Sequence, residues 1–125
     1  WLACPWLVRR AGTVEAEGGV RRLEDWLSLR APGEWRPYNR EHQLVRLRLM
    51  SPLVRDLLRR FRPAVWDRLR QAGVGGTRYG SEIRVKCLHL QTASWLALSR
   101  HPGAAWLRGE GLGEDCRGAM AQGCQ

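Results

Sequence analysis

EIRVKCLHLQTASWLAL, residues 82–98, is the longest stretch of regular pattern in this chain of 125 residues. Val85, Leu88 and Trp95 recur at steps that place them on one face of a helix. Most of the remaining positions are also apolar, which is typical of a helix that is buried on nearly all sides. The pattern therefore predicts a central helix near residues 82–98, which ends before Pro102.

Shorter helices are predicted on the N-terminal side of this segment. Apolar residues recur there at three- and four-residue steps, and several prolines stand where a helix can begin, as at Pro5 and at Pro52 after Ser51. Two prolines and a glycine within residues 31–37 predict a loop. The sequence therefore predicts a compact all-α fold of five to six short helices around the central one.

These helices are predicted to form a single domain over residues 1–108, followed by a flexible, Gly-rich tail over residues 109–125. Tryptophans should supply much of the core, because they bury a large apolar surface. We expect Trp26, Trp66 and Trp95 in the core, and Trp35, within the predicted loop, at the surface.

The chain is strongly basic, with 21 Lys and Arg against 12 Asp and Glu and a formal net charge of +9. Such a charge invites a nucleic-acid interpretation, since clustered arginines neutralise phosphates. Here the arginines alternate with Leu and Val at helical spacing, which is typical of the solvated face of an amphipathic helix. Nucleic-acid binding through Arg-rich helix faces is therefore an alternative function that we do not favour.

The sequence gives no sign of export or of a transmembrane segment. No apolar run approaches the roughly 18 to 20 residues that cross a bilayer, so we expect no membrane partner. The four cysteines, Cys4, Cys87, Cys116 and Cys124, contain no C-x-x-C pair and are too dispersed for a disulfide scaffold. We therefore expect reduced thiols in a cytoplasmic protein.

The polar side chains of the central segment form the candidate site. Cys87 and His89 are two residues apart, about 200° around a regular helix, so they converge only if Cys87 lies in an irregular first turn. As a metal ligand, Cys87 needs partners from elsewhere, with Cys4 and the tail cysteines as candidates and zinc as the metal. As a nucleophile, it would gain from a helix N-terminus and from Lys86. The simplest alternative is a small buried Cys87 beside a hydrogen-bonded His89.

Three stretches of the chain resemble one bacterial family. They are WLACPWL at residues 1–7, GVGG at 73–76 and RVKCLHL at 84–90, and the resemblance runs in order over residues 1–108. The family is the bacterial domain of unknown function 501. The resemblance implies an uncharacterised bacterial protein of the cytoplasm, and it implies that this chain lacks an upstream stretch of the domain.

The resemblance also implies which polar residues matter. Cys4, Lys86, Cys87 and His89 match polar positions of the family. Ser94 stands where many members have a second histidine, so a ligand or base at that position is lost or replaced here.

The leading hypothesis is a small binding or regulatory module with a structural or metal-binding centre. Cys4, Cys87 and His89 are the candidate ligands, and no other cofactor site is predicted. We expect no catalysis by this fragment and a protein as its partner. The alternative is a cysteine-dependent enzyme that uses Cys87, with His89 and Lys86 as further catalytic candidates.

Overall fold

The structure, a computed structural model, describes residues 2–77 and 82–113. Seven α-helices follow one another in these two ranges, together with a 3-10 turn at Val74–Gly76. The helices are α1 (Pro5–Ala16), α2 (Gly19–Arg30), α3 (Pro32–Leu49), α4 (Pro52–Phe61), α5 (Pro63–Gln71), α6 (Leu88–Leu98) and α7 (Ala104–Gly109). The predicted all-α class is confirmed. Within the described ranges, none of the helices has the length and apolar character needed to cross a bilayer.

The core lies where α6 packs against α1 and α1 against α2, with α3 packed on α2. Leu23, Leu27 and Leu88 are fully buried there, and Trp95 is buried as predicted. Each such side chain contributes about 1.5–3 kcal/mol by leaving water. The apolar stripes of the first two helices therefore close on the central helix, which fixes the site described below.

The central helix begins at Leu88, later than the pattern of residues 82–98 predicts. Residues 83–87 have no regular secondary structure, and Cys87 is extended, with φ −162° and ψ 157°. The backbone N–H of Val85 donates to the Glu24 carboxylate on α2 at 2.8 Å. Such long-range hydrogen bonds outweigh local helix propensity, which is a weak preference that tertiary contacts override.

Residues 32–37 are helical, although two prolines and a glycine predicted a loop. Pro32 stands at the start of α3, where its missing N–H costs nothing. Pro37 lies inside the helix and removes one hydrogen bond. Trp35 is only 2% exposed, so its predicted exposure is wrong, and the burial of Trp35 and Tyr38 offsets the cost of Pro37.

Trp26 and Trp66 meet the core prediction only in part, and residues 109–113 do not belong to a tail. Trp26 packs partly buried against the core, and Trp66 is half-buried beneath the guanidinium of Arg59, 4.7 Å from its ring centroid. Residues 109–113 continue the packed body instead of beginning a tail, since Leu112 is fully buried and its N–H donates to the Leu107 carbonyl at 2.9 Å. The rest of the predicted tail, residues 114–125, lies outside the described residues.

Candidate metal centre

Three chemically different ligand groups meet beside the N-terminal end of α6. A carboxylate oxygen of Glu15, the sulfur of Cys87 and a ring nitrogen of His89 all lie within 4.8 Å of one another. All three side chains are partly exposed, so solvent and ions reach them. Oxygen, sulfur and nitrogen donors at such spacing can converge on one metal ion.

The extended backbone before α6 is what brings Cys87 and His89 together. In a regular helix their side chains would point to opposite faces. Cys87 is instead the residue that precedes the first turn, with extended backbone angles. The irregular first turn that the sequence argument required for their convergence is therefore present.

Glu15 lies in the last turn of α1 and acts as the cap of α6 from a distance. Its Oε1 accepts the backbone N–H of Leu88 and, at 3.4 Å, that of His89. Cys87, which occupies the capping position, makes no side-chain capping hydrogen bond. The first N–H groups of a helix lack partners within the helix and attract negative charge. The carboxylate of Glu15 thus ties α1 to α6.

The hydrogen bonds of His89 fix its tautomer. Its Nε2–H donates to the backbone carbonyl of Val8 on α1 at 3.0 Å. A neutral imidazole then has a bare lone pair on Nδ1, because only one ring nitrogen carries hydrogen. That nitrogen lies 3.0 Å from Oε1 of Glu15. Two acceptors face each other there, so a proton or a metal cation must supply positive charge between them.

Of the site residues proposed from the sequence, some come together in the structure and others lie apart from the group. Cys87 and His89 meet, and Glu15 completes the group in the position for which Cys4 was the candidate. Cys4 precedes the first turn of α1, and its carbonyl accepts the N–H of Val8 at 3.0 Å. Lys86 is exposed and outside the group, and its Nζ donates to the Gly75 carbonyl at 3.3 Å.

The two other cysteines proposed as ligands, Cys116 and Cys124, lie outside the described residues. Among the described cysteines, Cys4 and Cys87 both carry thiols and form no disulfide. The sulfur of Cys87 is therefore available as a ligand.

Glu15 is the member of the site that sequence reasoning missed. It stands on the charged side of the α1 pattern, where a solvated role is a sufficient explanation. Its spacing from Val8 is the one available signal, since a step of seven residues returns to the same helix face two turns later. Both residues contact His89, which lies more than seventy positions away in the chain.

A second polar cluster, which sequence reasoning also missed, lies at the C-terminal end of α6. His101 is 6% exposed, its Nδ1 accepts the N–H of Gly103 at 2.8 Å, and its Nε2–H donates to Oε1 of Gln91 at 2.8 Å. Burial, together with a smaller effect of the nearby His42, lowers the pKa of His101 to about 3. His101 is therefore neutral and satisfied on both nitrogens.

The same cluster continues through the hydroxyl of Ser94, which is hydrogen-bonded to both the Tyr38 hydroxyl and the Nε2 of His42. Burial raises the pKa of Tyr38 and lowers that of His42. Both groups are thus held neutral at physiological pH. His42 itself is half-buried against α6.

The fold and the site define the chain as a small helical protein with a Glu/Cys/His cluster at the start of its central helix. The model of one protein family matches residues 1–108, and its description is "Protein of unknown function (DUF501)". The chain belongs to this family, as the resemblance of its motifs predicted. Comparisons with curated proteins and with solved structures give no match.

Proposed function

We propose that this chain is a small binding or regulatory module that holds one divalent transition-metal ion, preferentially Zn²⁺, on Glu15, Cys87 and His89. The observation that carries the proposal is the approach of Nδ1 of His89 to Oε1 of Glu15 at 3.0 Å, with the Cys87 sulfur in the same group. A bound cation satisfies both acceptors at once and favours the thiolate of Cys87.

The donor set favours zinc over the hard cations. Zn²⁺ takes thiolate, imidazole and carboxylate ligands, whereas Mg²⁺ and Ca²⁺ prefer oxygen alone. The carbonyl of Val8 accepts the outer N–H of the His89 ring, an arrangement that orients metal-binding histidines in other proteins. Three protein ligands leave one tetrahedral position for water or for a group of a partner.

The role of such an ion follows from the elements that it joins. Glu15 belongs to α1, whereas Cys87 and His89 belong to the start of α6. A metal ion would hold these two helices together by closing a long loop of chain, as metal clips do. Because the ligands are partly exposed, binding can respond to the metal level around the protein, which suits a regulatory module.

Metal titration of the purified protein tests the proposal. We expect one Zn²⁺ per chain by elemental analysis, and we expect Co²⁺ to give the intense absorption of a thiolate–cobalt bond. Cys87→Ser should abolish that absorption, and His89→Gln and Glu15→Gln should each weaken Zn²⁺ binding about tenfold or more, because each removes a ligand.

Matched controls separate this ligand set from others. Glu17→Gln changes an exposed glutamate just beyond α1 and should leave Zn²⁺ affinity unchanged. Cys4→Ser distinguishes the observed group from the set of Cys4, Cys87 and His89. A variant in which Cys116 and Cys124 are both serine removes the tail thiols. Unchanged zinc affinity in the Cys87, His89 and Glu15 variants would refute the metal centre.

The cysteine-enzyme alternative uses the same pair of residues and has its own readout. The sulfur of Cys87 lies within 4.8 Å of a His89 ring nitrogen, as a thiol and its base would. The Nε2–H of His89 is taken up by the Val8 carbonyl, and its Nδ1 faces the Glu15 carboxylate, where a cation satisfies both groups; this favours a ligand role. In a zinc protein, saturating Zn²⁺ should slow alkylation of Cys87. Alkylation as fast with zinc as without it would favour the enzyme.

We also infer a reducing compartment, such as the bacterial cytoplasm that the family resemblance implies. The support is chemical, because the proposed centre needs Cys87 as a thiolate and oxidation would remove its sulfur from the ligand set. Oxidation of the purified protein with hydrogen peroxide should therefore release zinc, and subsequent thiol reduction should restore binding.

A further inference from the structure

The hairpin of α4 and α5, residues 52–71, forms an outer layer of the molecule. Neither helix has a buried residue. α4 packs chiefly against α5, and α5 packs against α3. The outward side of α4 is therefore not covered by the described part of the chain.

This uncovered side of α4 is apolar. Leu53, Leu57 and Phe61 recur every four residues and are 68%, 46% and 60% exposed, and Val54 borders them. Single exposed leucines are normal on protein surfaces, whereas an ordered row on one helix face marks an interaction surface. We call Leu53, Val54, Leu57 and Phe61 the apolar stripe.

The hairpin is also strongly basic. Its charged residues are six arginines (Arg55, Arg59, Arg60, Arg62, Arg68, Arg70) and two aspartates (Asp56, Asp67). At 100° per residue, Arg60 falls beside Leu53 at one edge of the apolar stripe, whereas Arg55, Asp56 and Arg59 fall on the other side of α4. The guanidinium of Arg60 lies 5.4 Å from the ring centroid of Phe61, so positive charge adjoins the stripe.

The charge decides which occupant fits the stripe. A second copy of the chain would bring an equally basic hairpin against the first, so the arginines would repel each other. Nucleic acid would use the arginines but leave the leucines and the phenylalanine in water. An anionic lipid surface satisfies both features, because acyl chains take the apolar side chains and headgroup phosphates take the arginines.

We propose that the α4–α5 hairpin docks in the plane of an anionic lipid surface, with the apolar stripe at the boundary of the acyl chains and the arginines of the hairpin on headgroup phosphates. The hairpin lies on the bilayer and does not cross it, so the proposal departs from the expectation of no membrane partner, which rested on the lack of an apolar run long enough to span a bilayer. This surface is independent of the Glu15–Cys87–His89 centre.

The α4–α5 hairpin is held in place against α3 by hydrogen bonds from Arg46. The guanidinium of Arg46 on α3 donates to the carbonyls of Leu69 and Ala72 at 3.0 and 2.8 Å, and to that of Gly73. These carbonyls lie at the C-terminal end of α5, where a cation is favourable. Docking therefore requires little rearrangement of the hairpin.

Sedimentation of the purified full chain with lipid vesicles tests the proposal. We expect strong binding to vesicles of phosphatidylcholine with phosphatidylglycerol, weak binding to phosphatidylcholine alone, and release by salt. Leu53→Gln and Leu57→Gln should each lower partitioning by about tenfold. Arg60→Gln should lower it by roughly fivefold.

Leu29→Gln is the matched control, because Leu29 is 81% exposed on α2, outside the hairpin. It should bind vesicles as the wild type does, and Cys87→Ser should too. Circular dichroism checks that the variants fold. We expect them to fold, because the substituted side chains are exposed.

Several results would overturn the proposal. Equal binding to neutral and anionic vesicles, or an equal loss for Leu29→Gln and Leu57→Gln, would do so. So would salt-sensitive binding of homopolymer RNA that Arg60→Gln weakens and Leu57→Gln leaves unchanged, if vesicles fail to bind. Dimerisation that Leu57→Gln abolishes, without vesicle binding, would assign the stripe to a second copy.

Discussion

The two ends of α6 each hold a histidine, and the two histidines are opposite in character. At the C-terminal end, His101 is buried and pairs one nitrogen with a donor and the other with an acceptor. At the N-terminal end, His89 is partly exposed, and its Nδ1 faces the Glu15 carboxylate. Complete pairing accounts for the first histidine as a structural element, whereas the second one belongs to the proposed metal centre.

The difference shows that burial is a poor guide to function in this molecule. The more buried histidine has the more strongly shifted pKa, yet its hydrogen bonds explain it fully. The half-buried histidine directs an acceptor nitrogen at a carboxylate oxygen, an arrangement that suits a cation between them. A site is thus better recognised by what its polar atoms lack than by how deeply they lie.

Removal of His101 and removal of His89 should differ strongly in how much each lowers the free energy of unfolding. His101→Ala should lower the free energy of unfolding by about 3–5 kcal/mol, because it leaves a cavity and two unpaired buried groups. His89→Ala should cost about 1 kcal/mol or less in metal-free protein, since the contact between His89 and Glu15 is partly exposed. Urea unfolding followed by circular dichroism measures both. Equal losses would mean that the two ends are equally structural.

Zinc should change stability through the N-terminal end alone. At free Zn²⁺ a hundred times its dissociation constant, the wild type should gain about 2.7 kcal/mol, because the metal binds the folded state. Cys4→Ser should show the same gain and Cys87→Ser none, as thermal unfolding with and without zinc will report. A gain that survives in Cys87→Ser would place the metal elsewhere.

Acid should act through the C-terminal end. The folded pKa of His101 is about 3, and the unfolded value is about 6.5, so the unfolded state binds more protons between these values. Stability is therefore lost as the pH falls, by about 2 kcal/mol between pH 7 and pH 5. Urea unfolding at both pH values measures it.

His101→Gln isolates this contribution, since the lowered pKa of His42 acts in the same direction in both proteins. The variant should lose most of the wild-type difference between pH 7 and pH 5. If it keeps the full difference, other groups carry the pH dependence and His101 titrates normally.

A smaller change in stability is expected at Thr92, which lies between the two ends of α6. Thr92 is fully buried in α6, and among the described polar groups its Oγ1 has no hydrogen-bond partner. Thr92→Val keeps the shape and removes the unpaired hydroxyl, so it should raise the free energy of unfolding by about 1 kcal/mol. Thr13→Val is the control, because that hydroxyl is exposed and donates to the Arg9 carbonyl at 3.1 Å. Destabilisation by Thr92→Val would show that the hydroxyl is satisfied in solution.

Local pattern was sufficient for much of the fold. Proline starts and apolar steps predicted the helical class, and the apolar stretch around Trp95 predicted the buried central helix. The failures share one cause. Trp35 and the residues before Leu88 carry local signals for loop and helix, and packing on distant elements reverses both. The number of prolines in a segment does not show whether a neighbouring aromatic side chain will be buried against distant elements.

The candidate site likewise contains residues that the sequence could identify and one that it could not. Cys87 and His89 could be singled out because they are reactive groups within an apolar segment, and their convergence was tied to an irregular turn. Glu15 could not be identified as a site residue, because a charged residue on a helix gives no signal of a contact with a residue more than seventy positions away. The apolar stripe of α4 was visible as a helical pattern, but the sequence could not show that it is left uncovered.

The family, the all-α class and the presence of a Cys/His pair in the central segment follow from the order of the amino acids, since they depend on residue identity and on spacing within a few turns. The place of Glu15 beside that pair, the neutral state of His101 and the solvent-exposed apolar side of one basic helix follow from tertiary packing instead. Each of these depends on which groups replace water around a side chain, and those groups come from distant parts of the chain.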